Sequence, residues 1–192
     1  MKKLEELKKQ LKRGQVYRRD SLFRWSKSVD RHLEALVEDG TLEKLSQGLY
    51  YYPKLSAFGQ TPPEDDVLIR SFLKDDRFLL TSLSNYNSLG VGNTQLYNEK
   101  IVYNHKRHGE FELGNRKFSF RIKPHFPGKI TKEFLLVDLV NNLELLAEDP
   151  TEVLKNVAGK VSTMDIKKLK PNVSKYGNAR TKKIFAPLMT IN

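Results

Sequence analysis

The fold predicted for this chain follows from residues 26–53, which read Ser-Lys-Ser-Val-Asp-Arg-His-Leu-Glu-Ala-Leu-Val-Glu-Asp-Gly-Thr-Leu-Glu-Lys-Leu-Ser-Gln-Gly-Leu-Tyr-Tyr-Tyr-Pro. Apolar residues recur there at intervals of three and four, as on one face of an amphipathic helix. An oxygen of Ser26 or Ser28 would cap this helix, and Asp39-Gly40 would end it, because Gly tolerates the left-handed conformation of a helix terminator. The residues expected to face the core are Val29, Leu33, Leu36 and Val37.

A short β-hairpin is predicted directly after this helix. Residues 41–45 (Thr-Leu-Glu-Lys-Leu) form the first strand, and residues 46–48 (Ser-Gln-Gly) have the composition of a turn. Residues 49–52 return as a β-prone run that Pro53 closes. A helix followed at once by such a hairpin is typical of the second half of a winged helix-turn-helix.

Elements on either side of this stretch predict two domains. Apolar spacing indicates further helices at residues 1–12 and 21–25, which gives three helices and a hairpin in a segment of winged-helix size. Gly59 and Pro62-Pro63 disfavour helix and indicate a linker. The predicted division is a winged helix-turn-helix at residues 1–55, a linker at 56–63 and a mixed α+β domain with a small antiparallel sheet at 64–192, so that the fold class is α+β.

The predicted second domain alternates helices and strands. Helical spacing appears before and after a group of β-prone runs, and Gly114-Asn115 has the composition of a hairpin turn between two of them. Pro171 and Gly177 are expected to break the C-terminal helical pattern. The predicted helices are 65–73, 81–89, 134–146 and one that starts near Asp149, and the predicted strands are 95–104, 109–113 and 117–122.

Charge and composition narrow the functional classes. The 192 residues carry a net charge of +11, a balance that suits a polyanionic partner such as nucleic acid. Residues 1–58 hold 13 Lys/Arg against 8 Asp/Glu, and residues 155–192 hold 9 against 1. There are no cysteines, which excludes disulfides and thiolate-ligated metals. The first residues lack the apolar segment of a signal peptide, and no apolar run could span a bilayer, so we expect a cytoplasmic protein without membrane contact.

The predicted winged helix supplies the candidate DNA contacts. The first turns of a recognition helix approach base edges, the preceding helix contacts phosphates, and the wing reaches a phosphate or the minor groove. In the competing interpretation these are solvated charges on a winged helix that binds only protein. The candidate DNA-binding residues are Tyr17, Arg18, Arg19 and Arg24 before the helix, Lys27, Ser28 and Arg31 at its start, and Lys44, Ser46 and Gln47 on the wing.

A second basic surface is predicted near the C-terminus. Lysines there interleave with apolar residues in an amphipathic pattern whose outer face is basic. This face would bind nucleic-acid phosphates or an acidic protein, or would serve only as a solubilising surface. Its residues are Lys160, Lys167, Lys168, Lys170, Lys175, Arg180, Lys182 and Lys183.

The sequence gives little evidence for a catalytic site or a metal site. His105, His108 and His125 lack a definite fourth ligand for zinc, and no phosphate-binding loop motif is present. A set comprising Glu110, Glu112 and Lys117 would suit a metal-dependent nuclease, but these residues fit cross-strand ion pairs better. We therefore expect no catalytic residue, no metal and no cofactor.

The winged-helix stretch resembles the N-terminal domain of AbiEi, the antitoxin of type IV AbiE toxin–antitoxin systems. That family has a Leu-x-x-Leu-x-x-x-Gly helix end and a wing that closes on Gly-x-Tyr, and the matching residues here are Leu33, Leu36, Gly40, Gly48 and Tyr50. Residues 135–138 and 176–183 resemble a related group of AbiEi-like proteins, so that the chain as a whole is similar to AbiEi-like and DUF6088-like proteins. The resemblance implies a repressor of its own operon, bound to operator repeats of double-stranded DNA, that counteracts a nucleotidyltransferase toxin without a stable complex being required.

The sequence thus predicts a non-enzymatic transcriptional regulator, a monomer or weak dimer in solution. Two alternatives remain, which are a winged-helix module that binds protein without operator binding, and a metal-dependent nuclease.

Overall fold

The computed structural model describes residues 2–92 and 95–190, and within them the chain forms two compact units. The first unit comprises the residues up to Asp76 together with Glu110–Phe118. The second comprises Arg77–Gly109 and the residues from Ser119 onward. Both helices and small antiparallel sheets are present, which confirms the predicted mixed α+β class. No helix in the described part of the chain is long and apolar enough to cross a membrane.

The first unit contains four helices, a three-stranded sheet and a separate hairpin. The three strands are antiparallel in the order β1-β3-β2, and β4 pairs with β5. The elements are α1 (Lys2–Gln10), β1 (Val16–Arg18), α2 (Arg19–Leu22), α3 (Val29–Glu38), β2 (Glu43–Ser46), β3 (Leu49–Tyr51), β4 (Lys54–Ser56), β5 (Gly59–Thr61) and α4 (Asp65–Leu73).

The core of the first unit explains why α3 forms where it does. Val29, Leu33 and Leu36 are buried with leucines from α1 and α2, so the predicted inward face is confirmed for these three, and Val37 is only half-buried. His32 joins the buried side. Gly40 follows the end of α3 with φ of 72°, in the left-handed region that glycine favours.

The segment predicted as a linker is ordered in the structure. Residues 54–61 form the β4–β5 hairpin, and Ser56 closes its turn, because its hydroxyl donates to the carbonyl of Gly59 and accepts from the amide of Phe58. Gly59 has φ of 108°, so the residue that suggested a linker allows a tight turn instead. The two compact units divide after Asp76, whereas the sequence predicts a linker at residues 56–63.

The second unit combines a sheet with four α-helices. The sheet order is β6-β7-β9-β8. Residues 110–118, which comprise β8 from Glu110 onward and the start of β9, are counted with the first unit. The elements are β6 (Phe78–Thr81), a 3₁₀ helix (Leu83–Leu89), β7 (Lys100–Asn104), β8 (Gly109–Leu113), β9 (Arg116–Ile122), α5 (Lys132–Asn141), a second 3₁₀ helix (Leu143–Leu145), α6 (Pro150–Val161), α7 (Ile166–Tyr176) and α8 (Ala179–Leu188).

The structure corrects several predicted boundaries in this unit. Residues 78–81 pair with β7 as a strand that the sequence did not indicate. The strand predicted from residue 95 begins at Lys100, and the helix predicted from residue 81 is a 3₁₀ helix from Leu83. Pro171 lies inside α7 rather than breaking it.

Candidate nucleic-acid interface

The start of α3 presents three of the predicted DNA-binding side chains to solvent. Lys27, Ser28 and Arg31 are all exposed. Ser28 precedes the first helical residue but makes no capping hydrogen bond. The buried Ser26 organises the turn instead, because its hydroxyl accepts from the amide of Ser28 at 3.2 Å and lies 2.8 Å from Nδ1 of His32. The hydroxyl of Ser28 is therefore not occupied by capping.

The β2–β3 hairpin places further polar side chains beside α3. Lys44 and Gln47 are exposed, whereas Ser46 is half-buried. Lys44 lies opposite Tyr50 across the two strands. Gly48 closes the turn with φ of 71°. Two of the three predicted wing residues are thus available for contact.

Arg19 holds the helix before α3 against α3 itself. Its Nε and Nη2 donate to the two carboxylate oxygens of Asp30 at 2.5 and 2.6 Å, a bidentate pair that fixes orientation. The guanidinium also lies 4.9 Å from the ring centroid of Phe23. Hydrogen bonding to Arg19 lowers the pKa of the Asp30 carboxyl. Arg19 therefore serves to orient α3, and this ion pair competes with any phosphate contact.

The other predicted residues ahead of α3 also have contacts within the first unit. Arg18 donates from Nη1 to the carbonyl oxygens of Ser71 and Phe72 at 3.1 and 3.2 Å, at the C-terminal end of α4. The hydroxyl of Tyr17 accepts from the amide of Lys12 at 2.6 Å. Exposed Arg24 instead stacks on a neighbouring indole.

Arg24 is the residue of this group with the most accessible charge. Its guanidinium carbon lies 4.0 Å from the ring centroid of Trp25. Such stacking leaves the N–H edge of a guanidinium open to an anion. Arg24 is thus better placed for a phosphate than Arg18 or Arg19.

The exposed face of α3 carries acidic as well as basic side chains. Asp30, Glu34 and Glu38 recur at every fourth residue and are all exposed. Together with Lys44 and Tyr50 they line a groove of about 340 Å³. Among residues 27–48 the exposed cations are Lys27, Arg31 and Lys44, and the carboxylates on the remainder of α3 would repel phosphates.

The predicted C-terminal basic surface lies on α6, α7 and α8 of the second unit. The apolar sides of α7 and α8 are buried at Leu169, Val173 and Phe185, which leaves most of the lysines outside. Arg180 pairs with Glu144 at 2.5 Å, so its charge is partly offset. Lys160 is half-buried, and the exposed members are Lys167, Lys168, Lys170, Lys175, Arg180, Lys182 and Lys183.

The sequence-based reasoning missed a buried polar cluster around Asp138 on α5. This carboxylate is fully buried and accepts hydrogen bonds from Tyr86 and Tyr103. A usable signal existed, because an Asp within the apolar run Phe-Leu-Leu-Val-Asp-Leu-Val requires buried partners. No cluster of three or more potential metal ligands occurs among residues 2–92 and 95–190. His105 stacks on the ring of Phe126 at 4.7 Å.

The fold and these contacts define a mixed α+β protein with a small helix-and-hairpin unit in which Lys27 and Arg31 are exposed at the start of one helix. A family of unknown function, DUF6088, matches residues 3–176, and the chain belongs to this family. This confirms the DUF6088 part of the resemblance stated above. No curated protein matches the chain.

A solved structure with a similar fold is the crystal structure of the RV2827C protein from Mycobacterium tuberculosis. The two share 15% sequence identity with a TM-score of 0.56, and the match covers 97% of this chain and 74% of that one. At this identity the similarity concerns the fold alone.

Proposed function

We propose that the chain is a sequence-specific DNA-binding regulator whose first unit acts as a winged helix-turn-helix. The observation that carries the proposal is the exposed group at the start of α3, formed by Lys27, Ser28 and Arg31. The first turn of such a helix is the part that reaches base edges in the major groove, and an arginine there can form two hydrogen bonds with guanine. Lys44 and Gln47 on the hairpin would contact the backbone beside it.

The ion pair between Arg19 and Asp30 supports this assignment. It holds the short α2 against α3, which is the geometric requirement for presenting a recognition helix at a fixed angle. The net charge of +11 favours association with a polyanion. Arg24 would add a phosphate contact from the segment just ahead of α3.

The biological role that we propose is that of an antitoxin of the type IV class. The support is the AbiEi resemblance at Leu33, Leu36, Gly40, Gly48 and Tyr50. In this role the chain represses its own operon and counteracts a nucleotidyltransferase toxin. No catalytic step and no cofactor is part of the proposal.

The test is a titration of the full chain with the DNA segment upstream of its own gene, against a scrambled duplex of equal length. Arg31→Ala should weaken binding to the upstream segment by about 1–3 kcal/mol and reduce the preference over the scrambled duplex. Lys129→Ala is the matched control, because Lys129 is exposed on a loop of the second unit and has no role in the proposal. Affinity should also fall steeply with salt.

Two results would count against DNA reading by α3. One is equal affinity of Arg31→Ala and the unchanged protein for the upstream segment. The other is equal weakening by Lys129→Ala, which would indicate a nonspecific charge effect. The antitoxin role is tested separately, by asking whether co-expression relieves growth arrest caused by a nucleotidyltransferase encoded beside the gene.

A second candidate function is protein binding through the groove beside α3. The specific observation is the series of carboxylates at Asp30, Glu34 and Glu38, which suits a basic partner rather than a phosphate backbone. Glu34→Gln should then weaken capture of a basic partner and leave DNA affinity unchanged. Under the DNA proposal, the same substitution should raise DNA affinity, because it removes a negative charge near the duplex.

A further inference from the structure

A fully buried carboxylate anchors a polar network within the second unit. Asp138 accepts from the Tyr86 hydroxyl at 2.8 Å and from the Tyr103 hydroxyl at 2.9 Å, both at Oδ2. The Lys123 ammonium lies 3.0 Å from Oδ1. A charge buried to this degree is tolerated only when it is paired and hydrogen-bonded. The positions of these donors are therefore tightly constrained.

Asn142 supports the same network one helical turn later. Its Nδ2 lies 2.9 Å from the Tyr86 hydroxyl, 3.1 Å from the Tyr103 hydroxyl and 2.8 Å from the carbonyl oxygen of Asp138. Each tyrosine hydroxyl can thus donate to the carboxylate and accept from the amide. This arrangement leaves little freedom for either ring.

Lys123 connects the buried network to the surface. Its side chain is 25% exposed, and its Nζ lies 3.9 Å from the ring centroid of Tyr103. An ammonium has three N–H donors. Asp138 and the aromatic face use two of them, so one remains for a further acceptor, and the ammonium is held in place before that acceptor arrives.

The further acceptor has a cavity available. Lys123 lines a space of about 330 Å³, and the other polar or aromatic residues of its wall are His125, Asn141, Asn142, Lys175, Tyr176 and Asn178. None of the described residues that line it is acidic. The wall therefore offers two cations and several amide or imidazole donors around an aromatic ring, and this combination selects an anion with an organic body.

The wall is also rigid on the side of α7 and α8. Asn141 donates from Nδ2 to the carbonyl of Tyr176 and accepts at Oδ1 from the amide of Asn178, both at 2.9 Å. This double contact fixes the connection between α7 and α8 to α5. Gly177 lies between them because a side chain there would meet the carbonyl of Val173 at 2.6 Å.

We propose that this cavity binds the phosphate monoester of a small organic molecule, of the size of a nucleoside monophosphate. Lys123 and Lys175 contact the phosphate, His125 and Asn178 supply further donors, and Tyr176 packs against the organic part. The volume lies at the lower end of that found for small-molecule pockets, which fits a mononucleotide rather than a larger cofactor. The site does not involve α3, so its failure would leave the proposed DNA reading intact.

The test is a calorimetric titration of the full chain with AMP, adenosine and inorganic phosphate. AMP should bind, inorganic phosphate should bind more weakly, and adenosine should show no saturable binding. Lys175→Gln should weaken AMP binding by about tenfold, the effect of one charge-assisted hydrogen bond. Lys170→Gln is the control, because it removes an equal charge from the same helix at an exposed position outside the cavity wall.

Two outcomes would overturn the proposal. One is the absence of saturable AMP binding, and the other is equal weakening by Lys170→Gln and Lys175→Gln. Lys123 is left unchanged in the main test, because its loss would leave Asp138 buried without its cation and could unfold the chain. His125→Gln provides a second wall substitution with little risk to folding, since His125 is exposed, and it should weaken AMP binding by a smaller factor.

The source of the phosphate is resolved by competition. If a 5′-phosphorylated oligonucleotide displaces AMP and its unphosphorylated form does not, the cavity receives the end of a nucleic acid. If neither displaces AMP, the ligand is a free mononucleotide or a similar ester. Both results support monoester recognition, whereas equal displacement by both oligonucleotides would show general polyanion binding and overturn it.

Discussion

Replacement of Asp138 by Asn gives the most direct measure of the buried network. The substitution keeps the size of the side chain but removes its charge and introduces an N–H donor. Tyr86, Tyr103 and Lys123 all present donors to this position, at 2.8, 2.9 and 3.0 Å. An amide cannot accept from all three, so at least one donor is left without its partner, and the ammonium of Lys123 loses its counter-ion.

The expected loss of stability follows from these contacts. Removing one member of a buried ion pair costs about 3–5 kcal/mol. Lys123 is 25% exposed, so water compensates part of its loss, and we expect about 3 kcal/mol, the lower end of that range. A cost of this size is a large share of the stability of an ordinary domain.

The measurement is urea denaturation of the full chain followed by far-ultraviolet circular dichroism. Asp66→Asn is the control, since this exposed carboxyl lies in the first turn of α4 and should change the free energy of unfolding by less than about 0.5 kcal/mol. A double variant with Asp138→Asn and Lys123→Met should recover the part of the loss that comes from the unpaired ammonium, because it removes the charge that the single variant leaves without its counter-ion. A cost below about 1 kcal/mol for Asp138→Asn would refute the view that this carboxylate organises the second unit.

Two further predictions concern pH. Burial, and then the neighbouring charge of Arg31, lower the pKa of His32 below its usual value of 6.5. Near that pH the unfolded chain therefore binds a proton at His32 that the folded chain does not bind. The free energy of unfolding should fall as the pH drops below 6.5. His32→Gln should reduce this loss in urea midpoints compared between about pH 7.5 and about pH 5.5; an unchanged slope would contradict it. Burial and then the charge of Asp138 raise the pKa of Tyr86 and Tyr103 above their usual value of 10.0. Above pH 10.0 the folded chain therefore keeps two protons that the unfolded chain releases. The free energy of unfolding should fall as the pH rises above that value. Absorbance titration should show two tyrosines that ionise only on unfolding, and ionisation of all eight tyrosines of the folded chain together would disprove this.

The helix and hairpin at residues 29–51 could be predicted because their signals are local. The apolar spacing of α3 and the glycine after it depend on residues within one or two helical turns. The roles of Arg18 and Arg19 could not be predicted in this way. Arg18 finds its acceptors at Ser71 and Phe72, more than 50 positions along the chain, and such pairing leaves no periodic trace in the sequence.

Contacts between residues that are far apart in the sequence also explain why features of the second unit were not predicted. β6 is a four-residue apolar segment, too short to separate from a helix by periodicity, and its partner β7 begins about twenty residues later. Asp138 was visible as a charge in an apolar helix, but its partners come from three other segments of the chain. Composition indicated a basic C-terminal region and could not indicate which of its lysines would line a cavity.

The charges along α3 constrain how this helix can approach DNA. Its cations precede or lie in the first turn, at Lys27 and Arg31, whereas Glu34 and Glu38 follow one and two turns later. A helix lying flat in the major groove would bring these carboxylates close to both phosphate strands, at a cost that rises as salt is lowered. A helix that enters by its N-terminal end keeps them outside and also directs the positive end of its dipole at the duplex. The proposed reading of DNA by α3 therefore requires the end-on approach, and it should involve only the few base pairs that the first turn can reach.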